Sequence, residues 1–147
     1  MNTNYDIKWT TDTTSAIYKD ALKIRYEVFV NEQGVSEEEE IDSLEDKTEH
    51  VVLYVDGKPV ATARIYDLGE KTFKVQRVAV LKDARGIGYG AVIMTEAEKR
   101  IHELGGHKVT LGAQNSAIPF YEKLAYSIEG EEFMDAGIPH HTMSKYV

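Results

Sequence analysis

Three glycines at alternate positions, Gly86, Gly88 and Gly90, lie in the stretch DARGIGYGAV, between an apolar run and an amphipathic pattern. A strand-to-helix junction of this kind gathers several unpaired backbone N–H groups around one concavity. The helix dipole adds about half a positive charge there. A Cβ would hold a phosphate off those amides, and some turns need φ > 0, so glycine suits an anion site on both counts. Arg85 adds a cation at the rim with a fork that matches phosphate. The alternative is a tight turn that holds nothing. Spacing excludes two phosphate motifs. A P-loop needs Lys and then Ser or Thr after the last glycine, whereas Ala91-Val92 follow here. A dinucleotide fingerprint needs G-x-G-x-x-G and an acidic residue closing the next strand; here the spacing is G-x-G-x-G and that strand ends in Gly112-Ala113.

Other residues capable of chemistry lie downstream. Tyr121 sits in Pro119-Phe120-Tyr121-Glu122-Lys123-Leu124, where it reads either as a packed aromatic of an amphipathic helix or as a proton donor. Pro139-His140-His141-Thr142-Met143 places two histidines near the C-terminus, and a histidine can accept a proton near neutrality. On a strand the two would point to opposite faces, so one of them reaches any given site. His50, His102 and His107 have no such context and read as surface residues; the five histidines give no metal spacing. With no cysteine, disulfides, thiolate metal sites and acyl-cysteine chemistry are excluded. A net charge of −8 argues against nucleic-acid binding and mildly favours cationic small molecules.

The elements that must position these groups follow from periodicity. The 147 residues fit one domain, residues 1–147. No stretch is apolar enough to span a bilayer, and the start MNTNYDIKWT lacks the pattern of a signal peptide, which predicts a cytoplasmic protein with no membrane contact. Thr13 to Val30 reads as a helix capped by Asp12 or Thr13, with Ile17, Ala21, Ile24 and Val28 on one face. Glu37-Glu38-Glu39-Glu40 reads as a solvated loop or helix end. VVLYV-DGKP-VATARIY reads as a hairpin turning at Asp56-Gly57. Phe73 to Leu81 forms the next strand, and a helix with Ile87, Ala91, Met94, Ile101 and Leu104 on its stripe runs to Gly105-Gly106. The predicted order is β-α-β-β-β-α-β-α-β-β, a mixed α/β (α+β) sheet with helices packed on it and an optional short helix in the acidic segment.

Taken together, R-x-x-G-x-G (Arg85, Gly88, Gly90) after QRVAV, followed by Asn115 and the FYEKL helix, resembles the GNAT superfamily of N-acetyltransferases over about residues 76 to 126. Ala125-Tyr126 stands where that family has Gly-Phe. Arg25-Tyr26-Glu27-Val28-Phe29-Val30-Asn31-Glu32-Gln33, Ala61-Thr62-Ala63-Arg64 and the PHHTM segment are similar to a bacterial subgroup called ElaA- or YjcF-like, which extends the resemblance to nearly the whole chain.

The resemblance implies a mostly antiparallel sheet of six or seven strands with helices on both faces, its fourth and fifth strands splayed around acetyl-CoA. Backbone amides across Arg85, Gly86, Ile87, Gly88, Tyr89, Gly90 and Ala91 are then the pyrophosphate cradle. Val78, Ala79 and Val80 pair with the pantetheine arm, and a freed amide there polarises the thioester carbonyl. Asn115 is a partner of that arm, a helix N-cap, or both. Tyr121 takes the role of acid for the leaving thiolate, and His140 that of base for direct attack by an amine. His141, or a carboxylate acting through water, remains open as that base. Arg25, Phe29, Glu32 and Arg77 are candidates for the acceptor wall, with Gln33 and Arg64 also polar residues beside apolar segments. The acceptor is expected to be a small primary amine. A protein or peptide amine, and a non-catalytic acyl-CoA-binding sensor, stand as alternatives, and a homodimer is compatible with the sequence.

Overall fold

The computed structural model describes residues 4–147. A seven-stranded sheet runs in the order β1-β2-β3-β4-β5-β7-β6. Its strands are β1 (Tyr5–Thr10), β2 (Glu49–Val55), β3 (Lys58–Gly69), β4 (Thr72–Val80), β5 (Lys108–Gln114), β6 (Ser127–Asp135) and β7 (Ile138–Tyr146). All neighbours pair antiparallel except β4 and β5. The helices are α1 (Ala16–Arg25), α2 (Glu37–Glu40), α3 (Tyr89–Glu103) and α4 (Ile118–Lys123). The element order matches the one read from periodicity, including the optional helix in the acidic segment. Asp56 and Gly57 both have φ > 0, as a two-residue hairpin turn with the native twist requires.

Two apolar layers sandwich the sheet. On one face α3 packs Ile93, Met94, Ala97 and Ile101 against Val51, Ala63, Val75, Val109 and Leu111. On the other, Ala21 and Ile24 of α1, with Val28 just beyond it, pack against Val52, Tyr54 and Ala79. Each fully buried aliphatic side chain contributes about 1.5–3 kcal/mol.

Local details depart from the sequence reading. α1 starts later than expected, because Ser15 rather than Asp12 or Thr13 accepts the Tyr18 amide. It also does not run to Val30 as an α-helix: from Tyr26 to Glu32 the chain widens into a π-helical segment. The stripe of α3 is rotated from the predicted one. Ile87 precedes the helix and is 65% exposed, and Leu104 follows it.

The acidic segment is not merely solvated. Three arginines meet three carboxylates beneath it. Arg25 donates through Nε to Glu40 and through Nη1 and Nη2 to Glu45 at 2.7 and 2.9 Å. Arg64 donates to Glu45 at 2.8 Å, to Asp42 at 3.0 and 2.9 Å, and to Gln76 Oε1 at 3.1 Å. Arg77 reaches Glu40 at 3.0 Å and Asp42 at 3.3 Å. Arg25 and Arg64 are 1% and 0% exposed. His50, expected at the surface, lies in the same layer. It bonds Glu45 O and Thr48, and Tyr18 meets its ring edge-on.

This cluster gives the fold an acid-sensitive point. Burial pushes the Glu45 carboxyl up, but hydrogen bonds and charge from Arg25, with further help from Asp42 N–H and Arg64, outweigh it and hold the group down to about 2 from 4.5. Burial lowers the His50 pKa from 6.5, keeping the ring neutral when folded. Both groups bind protons more readily when unfolded, so stability is full above the unfolded values and falls with acidification. The loss is expected to begin below about pH 6.5 through His50 and to continue from pH 4.5 towards 2 through Glu45. Urea midpoints measured against pH check this. A Glu45→Gln variant should flatten the lower window while leaving the His50 step.

Candidate active site

β4 and β5 pair only from Thr72↔Lys108 to Lys74↔Thr110, and beyond that point they part. The split leaves the β5-facing edge of Val75 to Val80 without a neighbour. Within it β4 carries a bulge: Arg64 pairs with Gln76 and Thr62 with Ala79, so Arg77 and Val78 together oppose Ala63. Arg77 sits at φ 56, a conformation a non-glycine residue adopts only when its surroundings hold it there. Glu40 and Asp42 supply that hold through its guanidinium.

At the outer end of β4 the chain turns through Arg85 into α3. Gly86 and Gly88 have φ +83 and +95, and Gly88 is the N-cap of α3. Gly90 is glycine for a different reason: a Cβ there would come within 3.1 Å of the Phe120 ring. The first amide of the junction to find an acceptor is that of Val92, which bonds Gly88 O at 3.1 Å. Among the described residues, no acceptor meets the N–H groups of Gly86, Ile87, Gly88, Tyr89, Gly90 and Ala91. The first turn of this 15-residue helix holds no acidic side chain. Bare amides, open glycine positions and a helix dipole fit a diphosphate. Arg85 is already engaged. Its Nε donates to Val80 O at 2.9 Å, and its two terminal nitrogens hold the Glu32 carboxylate at 2.9 and 2.7 Å.

The mouth of the split opens into a cavity of about 410 Å³. Phe29 of the π-helical segment, with Gln33 and Val35 just after it, forms one wall, and Gln76, Arg77 and Val78 the second. Gly112, Tyr121, Phe133 and His140 close the far side. Gln114 Nε2 donates to Gln33 Oε1 at 2.8 Å, which straps β5 to the π-helical segment. Phe133, reaching from β6, lies over Gly112, where an added Cβ would stand 3.2 Å from its ring.

Tyr121 and His140 line this one cavity, as do Val78, Phe29 and Arg77. Tyr121 is 7% exposed, packed edge-on against Phe120 and Tyr126, and its hydroxyl makes no hydrogen bond among the described residues. Burial pushes its pKa up, so it keeps its proton across the neutral range. The His140 ring stacks on Phe133 and its Nδ1 contacts Ile138 O at 2.7 Å. A carbonyl oxygen only accepts, so Nδ1 carries the hydrogen and Nε2 presents a lone pair.

Other candidates lie elsewhere. Arg25 is not at the cavity, because its guanidinium is buried and spent on Glu40 and Glu45. Arg64 is consumed by the same cluster. Glu32 stands outside the cavity, on Arg85. Asn115 does not cap α4. It belongs to a 3₁₀ turn, and its amide bridges Glu132 at 2.6 Å and His141 Nδ1 at 2.8 Å. His141 is not among the residues lining the cavity, in keeping with its alternation with His140 along β7. The sequence reading did not foresee the bulge, the Gln33–Gln114 strap or the Phe133 cover. All three pair residues distant in sequence, and no local pattern marks them.

The acetyltransferase (GNAT) domain family matches residues 14–147. Over 128 residues the chain is 46% identical to the uncharacterised N-acetyltransferase YjcF of Bacillus subtilis (strain 168), covering 86% of this chain and 91% of that one. An acyl-CoA N-acyltransferase from Pseudomonas aeruginosa superposes with a TM-score of 0.84 at 28% identity, covering 98% of this chain and 99% of the other. ElaA of Escherichia coli shares the fold, with a TM-score of 0.83 at 23% identity and the same coverage, 98% and 99%. No helix among the described residues is long and apolar enough to cross a membrane. On sequence and fold alike, the chain belongs to the GNAT acetyltransferase family.

Proposed function

We propose that this protein transfers the acetyl group of acetyl-CoA to the primary amine of a small molecule. One observation carries the reading: a protonated phenol, Tyr121, and an imidazole whose free lone pair is Nε2 of His140 line one cavity at the mouth of the β4–β5 split. The six bare amides of Gly86 to Ala91 lie at the outer end of the same strand. Acetyl-CoA, when bound, supplies an activated thioester whose leaving group is a thiolate. Gly86 to Ala91 would hold its diphosphate, with Arg85 at the rim exchanging Glu32 for a phosphate oxygen. The unpaired edge of Val78 to Val80 would pair with its amide-bearing arm. His140 Nε2 takes a proton from the amine, because an ammonium has no lone pair with which to attack. Tyr121 returns a proton to the departing sulfur. The nitrogen gives up two protons in becoming an amide: one leaves through His140 to solvent, and the second replaces the proton that Tyr121 gives to sulfur.

A cavity of this volume, covered by Phe133 and strapped at Gln33–Gln114, favours a small acceptor over a polypeptide. A sensor that only binds acyl-CoA has no use for a placed acid and base. Free-thiol release from acetyl-CoA across a panel of amines, amino sugars and peptides is the test. His140→Ala should lower kcat by about 10²-fold, and the loss should shrink as pH rises and more of the amine arrives unprotonated. Unchanged turnover in that variant would move the base role to a carboxylate–water relay. Release with peptides alone would overturn the small-molecule reading.

A further inference from the structure

We propose that the floor of the cavity, resting on its acyl-transfer reading, is a carboxylate subsite built by Lys74 Nζ and Gln76 Nε2. The acceptor amine, or the acyl group brought to it, then carries a second, anionic end.

Lys74 and Gln76 alternate along β4 and therefore share a face, and both line the cavity. The Gln76 amide has its orientation imposed from behind. Arg64 Nε donates to Gln76 Oε1 at 3.1 Å, and a guanidinium offers donors only. The NH₂ of Gln76 must then turn away from Arg64, and no acceptor meets it among the described residues. Lys74 is half-buried, and its ammonium has neither a carboxylate within 4.0 Å nor a hydrogen-bond acceptor among the described residues. Arg77, the other cation of the lining, is neutralised by Glu40 and Asp42. The remaining carboxylates of the lining, Glu39 and Asp135, are exposed and make no ion pair with Lys74 among the described residues.

Two donors two residues apart on one strand face, with no acceptor among the described residues and one of them charged, are what a carboxylate needs. In a chain of net charge −8, a cation left unpaired inside a cavity stands out. Its position fits a substrate's far end. Lys74 is the last β4 residue paired with β5, at the apex of the split, four residues before Val78. At about 3.3 Å per residue the two Cα atoms are at most about 13 Å apart. An amine near Tyr121 and a carboxylate at Lys74 are then separated by several bonds, as in an ω-amino carboxylate. A dicarboxylic acyl chain pointing to the apex presents the same group from the donor side.

Calorimetric titrations separate the two sources. One pair compares δ-aminovalerate with n-pentylamine on the CoA-saturated protein; the other compares succinyl-CoA with butyryl-CoA on the free protein. A carboxylate on the acceptor makes δ-aminovalerate the tighter ligand by about tenfold or more, with the two donors level. A carboxylate on the acyl group reverses which pair shows the preference. In either case Lys74→Met should bring the ratio to about one, and Lys74→Arg should restore part of it. Lys58→Met, in the exposed hairpin, should leave it intact. The urea midpoint of Lys74→Met should equal that of the wild type, since the ammonium holds no partner among the described residues. No preference in either pair, or a preference that survives Lys74→Met, overturns the subsite. These titrations need no turnover. A carboxylate preference lost in Lys74→Met, alongside no thiol release with any amine, would sink the acetyl-transfer reading and leave the subsite standing.

Discussion

Tyr121→Phe should lower kcat by about 10²-fold or more while acetyl-CoA binds as before. Only the hydroxyl is removed. The ring keeps its edge-on contacts with Phe120 and Tyr126, and the hydroxyl makes no hydrogen bond among the described residues that the change could lose. Stability should therefore stay near that of the wild type. Any loss of rate reports the missing proton, since a thiolate leaves poorly without a nearby acid. Burial that raises the tyrosine pKa makes it a donor rather than a base at neutral pH. Single-turnover kinetics with saturating amine give the clearest readout. The rate defect should also ease for an acyl donor whose leaving thiol is more acidic. A variant that retains full turnover would assign Tyr121 to packing alone.

Arg25→Met should cost about 3–5 kcal/mol, the range seen when one member of a buried ion pair is removed. Methionine fills most of the volume, so the cost is electrostatic. Glu40 and Glu45, 4% and 8% exposed, lose the guanidinium that satisfied four of their oxygen contacts. Arg64 and Arg77 remain, which holds the cost below that of an isolated buried charge. For a chain of this size the melting temperature should fall by about 6–20 °C. Glu45→Gln in the same background should recover part of the loss, so the two substitutions will not add. A cost below about 1 kcal/mol would show the cluster to be solvated in solution.

The partners of Arg25 were not legible in the sequence, and the reason is physical. Arg25, four positions before Phe29 on a helix, reads equally well as a substrate contact or a structural ion. Periodicity reports which face a residue occupies but not what a distant segment brings to that face. Its partner Glu40 ends the run Glu37–Glu40, which local pattern assigns to solvent, and Glu45 lies five residues further on. His50 was misjudged for the same reason. By contrast, the glycine turn was legible because its chemistry is local. Positive φ at Gly86 and Gly88, the start of α3 and the unpaired amides all follow within six residues. The meeting of Tyr121 with His140 was legible only through family resemblance. Nothing in the spacing of those two residues places them on one cavity. The β4 bulge, with Arg77 at φ 56, has no sequence signature at all, since the glycine or asparagine that usually marks such a backbone is absent.

The central claim is that the bare amides at the start of α3 hold the diphosphate of an acyl-CoA. The most direct test is a proton–nitrogen correlation spectrum recorded as CoA is titrated in. The account predicts that the largest shifts fall on Gly86, Ile87, Gly88, Tyr89, Gly90 and Ala91, with smaller ones along Val78 to Val80. Gly88→Val, which forces a side chain into a backbone at φ +95, should abolish them. Spectra in which those six amides stay fixed while CoA binds elsewhere, or does not bind at millimolar concentration, would contradict it.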